Sequence, residues 1–179
     1  MDRRRFLRTT GAIATGTVAT LAGCSGGDGG GGGETTTADP AKTNTIRMVS
    51  GSSDYYFDPV GLFVEAGETV TWTVDSGAHS STAYEKGNGP ASVTRIPDGA
   101  KAWDSGTLSE TGATFEHTFD TEGTYDYFCV PHKSLGMVGR IVVGEPGGPA
   151  EGSMPPDGSV PESATIVEEE AVSHDEFSG

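Results

Sequence analysis

Residues 123–143 read GTYDYFCVPHKSLGMVGRIVV. At their start Tyr125, Tyr127 and Cys129 fall on one side of an extended chain and Asp126 and Phe128 on the other, the alternation of a β-strand. At their end Gly139–Val143 is a second short run rich in β-branched residues. Between the two, Pro131 stops ladder pairing and Gly136 permits a sharp return, so residues 130–138 form a loop from one strand into the next. With the aromatic face turned inward, the Cys129 thiol arrives at the end of its strand pointing into the core. His132 and Met137 sit on the loop, free of sheet geometry.

Outward from this hairpin the same short period continues. Thr45–Val49, Leu62–Val64, Thr69–Val74 and Ala113–Phe119 are runs of Val, Ile, Thr and aromatic residues separated by Gly, Pro, Asp and Ser. No window reads as a long amphipathic helix. So many short strands pack most naturally as an all-β, antiparallel sandwich spanning residues 44–144. Residues 84–101, with scattered Gly, Pro and charge, read as a long loop at one edge.

A thiolate and a thioether are soft ligands and imidazole is borderline. Two histidines, one cysteine and a weak axial methionine form the donor set of an electron-transferring copper centre. The loop supplies Cys129, His132 and Met137, so a second histidine must come from His79, His117 or His174. His174 lies in an acidic tail and reads as solvated. His117 alternates with Phe115 and Phe119 in TFEHTF and reads as a strand residue satisfied by a neighbour. His79 follows a strand, on a Gly-containing turn that can aim a side chain, and is the expected fourth ligand.

Other chemistries fit less well. A structural zinc site is closed by Cys and His without Met. Cys129 at a strand end, with His132 three residues on and no third group to orient it, is a poor nucleophilic dyad, so no enzyme is expected. A catalytic copper commonly has a further histidine next to the ligand cysteine, where this chain has Phe128 and Val130. A binuclear centre needs a second ligand cysteine.

The termini differ from the middle. MDRRRFLRTTGAIATGTVATLAGC carries basic residues ahead of a mild apolar stretch, the pattern of an export signal over residues 1–23. Its Arg-Arg-Phe-Leu resembles a twin-arginine signal, and Leu21-Ala22-Gly23-Cys24 resembles a lipoprotein cleavage box that would make Cys24 the lipid-bearing first residue of the mature chain. Cys24 and Cys129 are the two cysteines of the chain, so lipid on Cys24 leaves Cys129 without a disulfide partner in an oxidising compartment; a metal would protect it. Residues 24–43, rich in Gly and Thr, read as a flexible linker with a reach on the order of 24 Å. Residues 145–179, acidic and without Lys or Arg, read as a disordered tail.

Net charge is −15 for the whole chain and would be −18 without residues 1–23, which hold four arginines and one aspartate. Such a surface excludes a nucleic-acid partner, whose binding needs cationic side chains. Acid spread through domain and tail alike suits hydration in molar salt, where a Debye length of about 3 Å erases long-range steering.

With these residues in view, the chain resembles the halocyanins, small blue copper proteins of the plastocyanin branch of the cupredoxins found in halophilic archaea. The resemblance covers about residues 44–144 and is carried by FDPVGLFVEAGETVTW, AHS, WDSG and GATFEHTFDTEGTYDYFCVPHKSLGMVGRIVV. It implies a cupredoxin-like Greek-key sandwich holding one copper ion, with His79, Cys129 and His132 as equatorial ligands and Met137 as the axial one. It further implies a monomer, held at the outer face of the cell membrane by lipid on Cys24, that shuttles one electron between membrane-bound redox proteins. The alternative is a cell-surface copper delivery or storage protein, which would be expected to use a more open site. Two departures stand out. Ser80 occupies the place where this group commonly has Asn tying the two ligand loops together, and Phe128 replaces the tyrosine that plastocyanins carry beside the ligand cysteine. The resemblance also makes the imidazole of His132, framed by Pro131, Leu135, Gly136 and Val138, the expected route for electrons.

Overall fold

A computed structural model describes residues 44–178. The expected signal, linker and Cys24 lie outside the described residues. In chain order the elements are β1 (Thr45–Ser50), β2 (Tyr55–Asp58), β3 (Gly61–Val64), β4 (Glu68–Val74), β5 (Thr82–Ala83), β6 (Thr114–Phe119), β7 (Gly123–Phe128), β8 (Val138–Val143), α1 (Ser163–Glu169), β9 (Ala171–Val172) and α2 (His174–Ser178). They form two sheets, ordered β2-β1-β4-β6 and β5-β7-β8-β3-β9. The result is the expected β-sandwich, mixed rather than antiparallel throughout, because β1 runs parallel to β4 and β3 parallel to β8. Successive strands such as β3 and β4 cross between sheets, which makes neighbours of strands distant in sequence.

The six strands read from sequence are present with ends shifted by a residue or so, and residues 84–101 form no strand. In β4, Val70, Trp72 and Val74 are buried while the alternate positions lean outward, the pattern of a sheet with one wet face. They meet Tyr125, Tyr127, Ile141 and Val143 of the opposite sheet in one core that also contains Cys129 and Met137.

Strands β7 and β8 break the alternation, since every residue in both is buried. Their outer face is covered by the segment from Glu145 onward, and here the expectation of a disordered tail is overturned. That segment carries α1, β9 and α2; β9 pairs with β3, and Ile166 and Val172 pack on Val60 and Val142. Val160 joins Tyr84, Phe128 and Val138. Each such aliphatic side chain, fully buried, is worth about 2 kcal/mol, enough with polar anchoring to order an acidic segment.

The polar anchor is a buried ion cluster. Asp126 of β7 accepts from Arg95 Nε at 2.7 Å and from Arg140 Nε at 2.8 Å. Both guanidiniums also donate to the carbonyl of Ala150, at 2.8 and 3.0 Å. Glu151 takes the hydroxyls of Thr124 and Ser163, each at 2.5 Å. Asp126 lies on the strand face opposite Tyr125 and Tyr127. Burial on that face is satisfied by paired charges and hydrogen bonds.

Candidate metal centre

Three side chains converge at the end of the sandwich where β7 runs out. Cys129 follows β7 directly and is fully buried. Its backbone N–H donates to the Met137 carbonyl at 3.0 Å, and the Met137 N–H donates to the His132 carbonyl at 3.3 Å, which closes the loop on itself. Gly136 makes the return at φ 87°, a conformation that favours glycine, after one turn of 3-10 helix over Lys133–Leu135. His79 comes from the other loop, pinned by paired backbone hydrogen bonds with Leu108 of 2.9 and 2.7 Å.

The donor atoms face one another. Cys129 Sγ lies 3.6 Å from His79 Nδ1 and 3.4 Å from His132 Nδ1. The potential ligand atoms of these three residues all lie within 4.8 Å of one another. An ion about 2.0–2.3 Å from each of three trigonal donors sets those donors roughly 3.6 Å apart, so the spacing suits a single ion. Met137 is buried against the same core as Cys129.

Outer contacts set which atoms are free to bind. His79 Nε2 lies 2.8 Å from the Ser76 carbonyl, which can only accept; its proton is therefore on Nε2, and the Nδ1 lone pair faces the sulfur. Burial pushes the imidazoles of His79 and His132 toward the neutral form that binds metal. Burial pushes the Cys129 thiol up, opposed by the Ser80 N–H that donates to Sγ at 3.4 Å. A metal must therefore displace a proton from sulfur on entering.

Ser80, standing where the resemblance sets an Asn, joins the two loops by a shorter route. Its hydroxyl accepts from the Val130 N–H at 2.8 Å, tying the His79 and Cys129–His132 loops directly. Thr82 gives its own hydroxyl proton to Asp104 at 3.0 Å, so Ser80 Oγ is the donor in its 3.1 Å contact with Thr82 Oγ1.

The remaining histidines lie elsewhere. His117 sits in β6 with its ring stacked on Trp103, centroids 4.7 Å apart, as expected of a strand residue satisfied by a neighbour. His174 is half-buried and stacked on Tyr56 at 3.8 Å, which corrects the expectation of a solvated residue. Leu135 is 62% and Val130 36% exposed beside half-buried His132, whereas Val138 turns inward and leaves the expected rim. Phe128 is buried beneath Tyr84, centroids 4.5 Å apart, so no side chain at that position reaches a partner.

One contact at the site had no readable signal. Tyr55 of β2 stacks flat on His132, with centroids 3.7 Å apart and planes within 8°. In sequence it belongs to SSDYYFD, which sets an aromatic pair behind turn residues and says nothing of a partner more than seventy residues away.

Residues 44–144 match the family described as copper binding proteins, plastocyanin/azurin family. The chain is 35% identical over 173 residues to a halocyanin of Natronomonas pharaonis, covering 80% of this chain and 98% of that one. It is 33% identical over 102 residues to a plastocyanin of Scenedesmus fuscus, across 55% of this chain and 97% of that one. A solved structure, a purple cupredoxin from Nitrosopumilus maritimus, is 30% identical and covers 56% of this chain and 98% of its own, with a TM-score of 0.42. The family match takes in both loops that carry the converging side chains and every strand from β1 to β8, and the soft donor at the end of β7 suits its metal: the chain belongs to the plastocyanin/azurin family of copper binding proteins.

Proposed function

We propose that this protein is a one-electron carrier in which His79, Cys129, His132 and Met137 would hold a single copper ion. Carrying the reading is the spacing of the cysteine sulfur at 3.6 and 3.4 Å from two imidazole nitrogens, with the other ring nitrogen of His79 engaged by the Ser76 carbonyl. Copper supplies the one-electron couple. The chain supplies a fixed frame: two loops joined through Ser80, a histidine tautomer set by Ser76, and a sulfur enclosed by the core. Fixed ligands keep the geometric change between oxidation states small. Half-buried His132, flanked by Leu135 and Val130, is the route to a partner. The Cys129 sulfur is fully buried, out of reach of a substrate, which favours carriage over catalysis.

The carrier works as a monomer outside the cytoplasm, tethered to the membrane by lipid on Cys24 and exchanging electrons with membrane-bound redox proteins. The signal-like residues 1–23 and the Gly-rich residues 24–43 support this placement.

A visible spectrum of the chain with one equivalent of Cu(II), before and after ascorbate, tests the reading. An intense blue band that bleaches, returns on reoxidation, is abolished by Cys129→Ser and survives His117→Ala is expected. Weak colour, or copper lost without cycling, would overturn electron carriage in favour of copper delivery or storage.

A further inference from the structure

The matched family region ends at residue 144, yet the segment beyond it touches the metal loop at several points. Asp157 accepts the Tyr84 hydroxyl at 2.6 Å and the Lys133 ammonium at 2.5 Å. Tyr84 packs on Phe128, the residue before Cys129, and Lys133 is the residue after His132. The Lys133 ammonium also lies 5.4 Å from the centre of the Phe128 ring. One carboxylate thus ties together the two flanks of the Cys129–His132 pair.

The next residue grips the far side of the loop. A Cβ on Gly158 would stand 2.9 Å from the Gly136 carbonyl oxygen and 2.8 Å from Val138 Cγ2, so glycine alone lets the two backbones approach. Gly136 directly precedes Met137. Val160 then closes the small apolar cluster around Phe128 and Val138.

We propose that Asp157 and Gly158 are positioning residues for the metal loop, forming a clamp by which the C-terminal segment holds Cys129, His132 and Met137 in register. The inference rests on the copper reading above, since it takes these three as ligands. Other surface acids of the segment, Glu168 among them, make no such contact with the loop. That locates the effect in the clamp and not in the segment's charge.

The test uses the full chain, copper-free and copper-loaded, with Asp157→Asn, Asp157→Glu, Gly158→Ala and Glu168→Gln as a control. Amide hydrogen exchange is followed at residues 132–137, together with the loss of copper to a Cu(I) chelator and the thermal midpoint. Asp157→Asn is expected to speed both loop exchange and copper loss about fivefold, the scale of one partly exposed charge-assisted contact, with Asp157→Glu restoring most of it. Gly158→Ala should act in the same direction, and Glu168→Gln should change nothing. A lowered midpoint in Asp157→Asn with exchange at 132–137 and copper loss unchanged would overturn the clamp and leave the segment a structural cover. If the parent chain takes up no copper through Cys129, the copper reading fails, and exchange in the copper-free protein still decides whether the loop is clamped.

Discussion

The phenol ring of Tyr55 lies flat on the imidazole of His132, centroids 3.7 Å apart and planes 8° from parallel. A β-strand of one sheet thereby sets the orientation of an imidazole carried on a loop of the other. Such a stack is worth about 0.5–1.5 kcal/mol, so Tyr55→Leu should speed copper loss to a chelator by up to about tenfold, while Tyr55→Phe keeps the parent rate. Equal rates for all three proteins would show that the ring merely fills space.

Ser80 offers a sharper test of how the His79 loop and the Cys129–His132 loop are joined. Ser80→Ala removes the acceptor of the Val130 N–H but keeps the backbone donor to the Cys129 sulfur. Chemical denaturation of the copper-free protein should show a loss of about 1 kcal/mol, with the blue band of the copper form still present. Unchanged stability would mean that the N–H finds water at no cost.

Removing residues 145–179 strips the outer face of β7 and β8. Phe128, Val138 and Val142 would meet solvent, and Arg95 and Arg140 would lose the Ala150 carbonyl. A chain ending at residue 144 is expected to be several kcal/mol less stable than the full chain and prone to associate. Matching thermal midpoints for the two chains would contradict the packing described above.

The attachment of this segment should also respond to acid. Partial burial opposes ionisation of Glu151 and Asp157. For Glu151 the hydroxyls of Ser163 and Thr124 and two guanidiniums outweigh it, and for Asp157 Lys133 and Tyr84 do, holding both below their ordinary values of 4.5 and 3.8. Groups depressed in this way add stability that is complete above the ordinary range and lost as pH falls through the folded values. Amide protection of residues 150–163 should therefore be flat from neutrality down to about pH 5 and decline below about pH 4. Protection that instead falls between pH 7 and 6 would point to a histidine.

The hairpin, and the gathering of Cys129, His132 and Met137 on it, were legible because their signals are local: alternation through Tyr125, Tyr127 and Cys129, a proline and a glycine. His79 was singled out by elimination among few histidines, and the fold does bring it beside Cys129 and His132. Tyr55 was hidden because its partner lies across the sandwich, and chain order says little about which loop meets which strand. The C-terminal segment was misread because its composition counts acids, whereas its order rests on where a few residues land. Val160, Ile166 and Val172 find apolar surface already exposed on the sheet, and Ala150 is held through its carbonyl, which no side-chain pattern reveals. Asp126 looked like the outward member of an alternating strand. Only with Arg95 and Arg140 in place does its burial make sense.

That ion cluster has a consequence for behaviour in brine. The side chains of Arg95, Arg140 and Asp126 are 7%, 3% and 0% exposed, whereas Arg47 and Asp75 pair at the surface with 49% and 45% exposed. Dissolved ions compete with the second pair and cannot reach the first. Moving from dilute buffer to saturated salt therefore rewrites the field around this acidic molecule and reaches the partly exposed Lys133–Asp157 pair, but leaves the Arg95–Asp126–Arg140 fastening of the C-terminal segment untouched. Solubility and this buried fastening answer to different variables.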